Sequence, residues 1–182
     1  MAADGRFGAT CHPLRRCRRR LPKKINLLCN ASTIYLFGVG GSSVIANDIE
    51  QKLIRIGKKV IYNNDLHIQM TFTQSMTKDD TALIISYSGT TAGLVDISKI
   101  LVEKNIPYIS ITQINQNLIS KNSTVALRVP SEEKELRIGA VSSRISSFVI
   151  TDLLYYGVFK KNFDKNKDNL IDSRNNVSIL KK

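Results

Sequence analysis

The chain has too few cysteines for a disulfide framework. Cys11, Cys17 and Cys29 are its three, all near the start, and their spacing contains no CxxC pair of the kind that holds zinc. A stapled secreted miniature is excluded, and a reducing, cytoplasmic setting with no metal and no cofactor is expected. Long apolar runs are missing too: Thr33 to Val39 and Phe148 to Tyr156 fall far short of the roughly 20 residues that cross a bilayer. No membrane partner is expected. No Gly-Lys-Ser/Thr follows a glycine-rich turn, which rules out a Walker-type nucleotide loop. Acidic residues are scarce, 15 against 27 Lys+Arg, for a formal net charge of +12.

The location of that charge decides its meaning. Residues 1–24 carry eight basic side chains and one acid, and residues 160–182 carry seven and three. The intervening body holds twelve basic and eleven acidic residues, so it is nearly neutral. A nucleic-acid-binding body would carry a basic stripe on its own elements, and this one does not. Arg15, Arg16, Arg18, Arg19 and Arg20 sit almost in a row in a stretch without apolar periodicity. Three readings apply to residues 1–24: an organelle transit peptide, a nucleic-acid-contacting arm, or an expression-derived or misplaced start. The break in composition after Lys24 favours the last, and a basic disordered tail is the structural expectation.

From Thr33 onward a strand, turn and helix pattern repeats. Thr33 to Gly38 is an apolar, β-branched run closed by glycine, and Ser42 or Ser43 is placed to cap a helix bearing Ile45, Ile49, Leu53 and Ile56 up to Gly57. Lys59–Tyr62, Thr81–Ile85, Tyr108–Thr112 and Thr124–Val129 read as further strands, and a helix is expected from about Leu66 behind an Asn63-Asn-Asp65 turn. Leu94, Ile97 and Leu101 stripe the helix after strand three. No hairpin signal separates the strands, so crossovers and a parallel sheet covered on both faces are predicted. The fold expected is α/β: a flavodoxin-like, doubly wound, five-stranded parallel sheet of order 2-1-3-4-5 in three layers, α/β/α. A last long helix, about Leu136 to Lys160, has apolar residues on more than one stripe, which predicts a homodimer or tetramer. Residues 161–182 read as a polar, partly helical tail.

Two loops carry the chemistry: Gly38-Val-Gly-Gly-Ser-Ser43 after strand one and Ser86-Tyr-Ser-Gly-Thr-Thr91 after strand three. In a 2-1-3-4-5 sheet both border the crevice at the switch point, and each opens a helix whose free N–H groups favour an anion. Hydroxyls donate to phosphate oxygens without adding charge, so the pair describes a phosphomonoester pocket. A dinucleotide fingerprint is disfavoured, because Ser43 stands where its last glycine belongs, although Asp65 lies at a suitable distance.

These two loops resemble those of the sugar isomerase (SIS) domain over about residues 30–160. Asn47-Asp48, Asp65-Leu-His67 and the segment Ser143 to Tyr155 are similar, more narrowly, to the effector domain of RpiR-type transcriptional regulators. The resemblance implies a domain over residues 25–160 that binds a phosphorylated sugar, with DNA contacted only through a helix-turn-helix domain that nothing in this chain matches. It assigns Ser86, Ser88 and Thr91, with the backbone of Tyr87 and Gly89, to the phosphate, and Gly41 and Ser42 to phosphate or sugar, with Ser43 a lesser candidate. The family often has an acid where this chain has Gly93.

An aldose–ketose isomerase would need a general base and a ring-opening donor. Glu132, Glu133 and Glu135, after strand five, and His67 are the candidates; their plainer roles are a solvated helix start and a surface imidazole. Three functions follow: a phosphosugar sensor acting through dimer helices, a phosphosugar isomerase, or a nucleic-acid binder acting through basic ends. The neutral body and the hydroxyl-rich loops favour the first.

Overall fold

A computed structural model describes residues 24–130 and 141–181. Residues 1–23, Glu132, Glu133, Glu135 and the expected first turn of the last long helix lie outside these. After a helix over residues 24–30 (α1) the described chain runs β1 (Ile34–Phe37), α2 (Gly41–Arg55), β2 (Val60–Ile61), α3 (Leu66–Ser75), β3 (Thr81–Ile85), α4 (Ala92–Glu103), β4 (Tyr108–Gln113), α5 (Leu118–Asn122), β5 (Val125–Val129), α6 (Val141–Lys161) and α7 (Phe163–Ser178). A 3-10 turn follows at Ile179–Lys181. The strands form one sheet of order β2-β1-β3-β4-β5, every pair parallel, with Ile34 opposite Val60 and Thr81. This is the doubly wound α/β fold expected from the sequence.

Alternation along the strands divides the core in two. Ile34, Leu36, Leu83, Ile85, Ile109 and Ile111 face one side, where Ile45, Ile49 and Leu53 of α2 and Leu154 and Val158 of α6 cover them. Tyr35, Phe37, Ala82, Ile84 and Tyr108 face the other, under Leu94, Ile97 and Leu101 of α4 and Ile119 of α5. The central strands β1 and β3 are buried along their whole length, as continuous apolar runs in a parallel sheet require.

Helix ends follow local chemistry, with one departure from expectation. Asp65 caps α3 as predicted, its Oδ1 accepting the N–H groups of His67 and Ile68 at 2.7 and 3.3 Å. Neither Ser42 nor Ser43 caps α2. The cap position is Gly40, whose φ of 56° turns the chain sharply, so the helix starts before either serine, and the Ser43 hydroxyl instead donates to the Gly40 carbonyl at 2.6 Å. Phe163–Ser178, in the expected partly helical tail, form a helix of sixteen residues. Its buried Asn166 donates to the Val158 and Phe159 carbonyls at the end of α6, and Asn169 donates to the Ile56 carbonyl after α2.

The Tyr108 phenol is buried and donates to the Ile119 carbonyl at 2.8 Å; burial pushes its pKa up to about 12 from an ordinary 10. The folded state thus holds this proton more tightly than the unfolded one, so the stabilisation is complete below pH 10 and is lost as pH rises towards 12. Urea denaturation across that window should show a steeper loss of stability for the wild-type chain than for Tyr108→Phe.

Candidate functional site

The β1 and β3 chains leave the sheet towards opposite faces, α2 joining the first half of the core and α4 the second. A crevice opens between their carboxyl ends, and a cleft of about 560 Å³, counted to its open mouth, occupies it. Val39, Gly41 and Ser42 line it from the first loop, and Ser86, Tyr87, Ser88 and Thr91 from the second. Ser143, Arg144 and Ser147 of α6 form a third wall.

The geometry of each loop has a cause. At Gly38 a Cβ would stand 3.1 Å from the Ser42 carbonyl oxygen and 3.3 Å from that of Ile85, so a side chain would wedge β1 away from both α2 and β3. In the second loop Gly89 has φ 68°, and a Cβ there would fall 2.3 Å from the Asn117 side chain. Asn117 is the hub of that region: it accepts the Ser120 N–H as the cap of α5 and donates to Thr112 and to Asn115. Asn115 in turn donates to the Ser88 carbonyl at 3.2 Å, and the Gln113 N–H reaches the Tyr87 carbonyl at 2.8 Å. Arg128 of β5 ties the same turn by donating to the Asn115 carbonyl at 2.6 Å.

Electrostatically the cleft suits an anion. Neither α2 nor α4 has an acidic residue in its first turn, so the positive end of each helix dipole is uncompensated by a side chain. Among the described residues the lining contains hydroxyls and one guanidinium but no carboxylate. Tyr62 stands behind the first loop, its hydroxyl 3.3 Å from the Ser43 carbonyl, and burial raises its pKa, which keeps it a neutral donor.

Among the described residues, one buried side-chain atom breaks the rule that buried polar groups are paired. Ser86 is 3% exposed and its Oγ has no hydrogen-bond partner. A buried hydroxyl left unsatisfied costs about 1–3 kcal/mol, and this one lies in the cleft wall between the two loops.

The structure brings Gly41, Ser42, Ser86, Tyr87, Ser88 and Thr91 of the expected residues to one cleft. Ser43 and Gly89 shape the loops without lining it. His67 does not line it either: it is exposed on α3. Gly93 packs its α-carbon against Leu66, whose Cδ2 would lie 2.6 Å from a Cβ at that position. Ser143, Arg144 and Ser147 are not predicted by the loop motifs. Ser143 and Ser147, four residues apart and both buried, share one face of α6.

The SIS domain family model matches residues 27–156. The chain belongs to the SIS domain family. Curated relatives of this SIS chain include the uncharacterized HTH-type transcriptional regulator YbbH of Bacillus subtilis, 33% identical over 147 residues, 80% of this chain and 52% of the relative. The chain spans about half the length of the curated relatives it matches. Among solved structures, the Vibrio vulnificus NanR protein complexed with ManNAc-6P superposes with a TM-score of 0.83 at 28% identity, covering 90% of this chain and 61% of NanR. The sugar isomerase domain of the RpiR transcription factor from Sphaerobacter thermophilus shares the fold, with a TM-score of 0.74 at 14% identity over 86% of each chain.

Replacing Gly89 by alanine should cost about 1–3 kcal/mol, from the positive φ and the clash with Asn117 together. Chemical denaturation reads the loss, and Gly41→Ala, with no atom nearer than 3.9 Å to its Cβ, should cost much less.

Proposed function

We propose that this SIS domain binds a phosphorylated sugar and is the effector-sensing part of an RpiR-type transcriptional regulator. The unpartnered Ser86 hydroxyl carries the reading. It is a donor buried at the meeting point of two helix-opening loops, and an incoming phosphate oxygen is the acceptor it lacks. Gly41, Ser42, Ser88 and Thr91 add N–H and O–H donors, and Arg144 adds a positive charge. The relatives support the regulatory part, being named HTH-type regulators about twice as long as the matched segment. NanR, the relative seen with ManNAc-6P, supports the ligand class. DNA would be contacted through a helix-turn-helix domain beyond this chain, in the cytoplasm. Residues 25–160 would do the sensing, flanked by 1–24 and 161–182.

Hydroxyls, backbone amides and a guanidinium bind; they do not exchange protons with carbon near neutral pH. Sensing therefore fits the described lining better than isomerisation, whose carboxylate candidates Glu132, Glu133 and Glu135 lie outside the described residues. A homodimer fits the outer face of α6, where Val141, Ile145, Val149, Leu153 and Tyr156 form a stripe of half-exposed or more exposed apolar side chains. Arg144, Ser143 and Ser147 lie on the same helix, so a ligand and a partner copy would touch opposite flanks of one element.

A thermal-shift panel of hexose, aminosugar and pentose phosphates, each beside its unphosphorylated sugar, tests the ligand class. A phosphosugar at a hundred times its Kd should add about 2.7 kcal/mol. Ser86→Ala should leave the ligand-free chain as stable or more stable, since it deletes an unsatisfied hydroxyl, yet abolish that gain. No response to any phosphosugar would overturn the reading, and aldose–ketose exchange lost in Glu133→Gln or Glu135→Gln would make the chain an isomerase. Light scattering should give a dimer for the wild type and a monomer for Ile145→Glu.

A further inference from the structure

Gln69 lies on α3, outside the cleft lining, and its polar side chain is 0% exposed. Its Oε1 accepts the Gly38 N–H at 3.1 Å, while its Nε2 donates to the Gly38 carbonyl at 2.9 Å and to the Asn63 carbonyl at 2.7 Å. Both polar groups of one peptide residue are thus met by one side-chain amide.

The need for this arrangement follows from the sheet. Gly38 is the first residue beyond β1, and the neighbouring β2 ends at Ile61, which pairs with Tyr35. Beyond that point the outer edge of β1 has no strand beside it, yet Gly38 is buried, and a buried peptide group without a partner is costly. A glutamine amide carries one C=O and one N–H pair in the geometry of a peptide, so it stands in for the missing residue of β2. The third bond, to Asn63, fixes the same amide to the turn that leads into α3.

We infer that Gln69 is the positioning residue of the first ligand loop: it holds the Gly38 peptide so that Val39–Ser42 present their N–H and O–H groups to the cleft. The role rests on the anion-binding reading for its consequence but not for its geometry. Loss of the amide leaves the Gly38 N–H without its acceptor and the Gly38 carbonyl with only the long 3.4 Å contact from the Tyr62 hydroxyl, and the sharp turn at Gly40 loses its fixed starting point. Leucine fills similar space without either polar group, and glutamate keeps the acceptor while placing a negative oxygen against two carbonyls.

The test compares Gln69→Leu, Gln69→Glu and a control, Leu101→Ala, which cuts a fully buried side chain in the last turn of α4, at the opposite end of that helix from the loops. Amide hydrogen exchange of the ligand-free chain is measured at a common temperature below all three melting points, together with inorganic phosphate binding by NMR titration. The expected result is at least tenfold faster exchange at Gly38–Ser43 in both Gln69 variants, with β4 still protected, and phosphate affinity at least tenfold weaker. Leu101→Ala should leave both loop exchange and phosphate affinity near wild type. Unchanged loop protection in the Gln69 variants, or equal loosening of the loop in the control, overturns the assignment. If the wild type takes up no phosphate while the Gln69 variants still loosen the loop, the clamp stands and the anion-binding reading of the cleft falls.

Discussion

The site depends on one divergence: β1 and β3 are hydrogen-bonded neighbours whose chains depart to opposite faces of the sheet. Every parallel strand must hand its chain to a crossover, and covering both faces requires the direction of winding to reverse somewhere. At that reversal no helix can seal the strand ends, so a crevice is left by topology alone. The two loops do not create the cleft; they furnish it. Gly38 permits the close approach of β1, α2 and β3 that sets its floor, and two helix starts without acidic side chains set its polarity.

Most of the fold was legible because burial in a parallel sheet leaves a strong trace. Thr81–Ile85 is buried at every position and reads directly as an apolar run, and the helix stripes at Ile45, Ile49 and Leu53 and at Leu94, Ile97 and Leu101 match the faces found buried. The cap of α2 was not legible. Serines are good caps in general, but a glycine able to take positive φ moved the helix start ahead of them.

The loop part of the site was legible for a different reason: four hydroxyls around one glycine exceed what a turn needs. The wall contributed by α6 was legible only as a family resemblance over Ser143 to Tyr155: the composition there speaks mainly of packing, and nothing in it says that Ser143 and Ser147 face the loops. Gln69 was hidden more deeply. Its value lies in meeting both ends of one peptide unit, and nothing in a glutamine on a short helix announces which backbone it will face. Local patterns reveal the groups offered to a ligand, whereas the groups that brace them are defined only by tertiary contact.

The shortness of β2 has a consequence for how copies of this chain can meet. One edge of the sheet is a strand of two residues preceded by Lys58 and Lys59, and the other is β5, with the exposed, cationic Arg128 bonded back to the turn beside it. Neither edge offers a long, flat row of unpaired peptide groups on which a further strand could be templated. Ordered fusion of two sheets, with the fibre-forming hazard that accompanies it, is therefore discouraged at both ends. Growth of the particle is left to its helical surfaces.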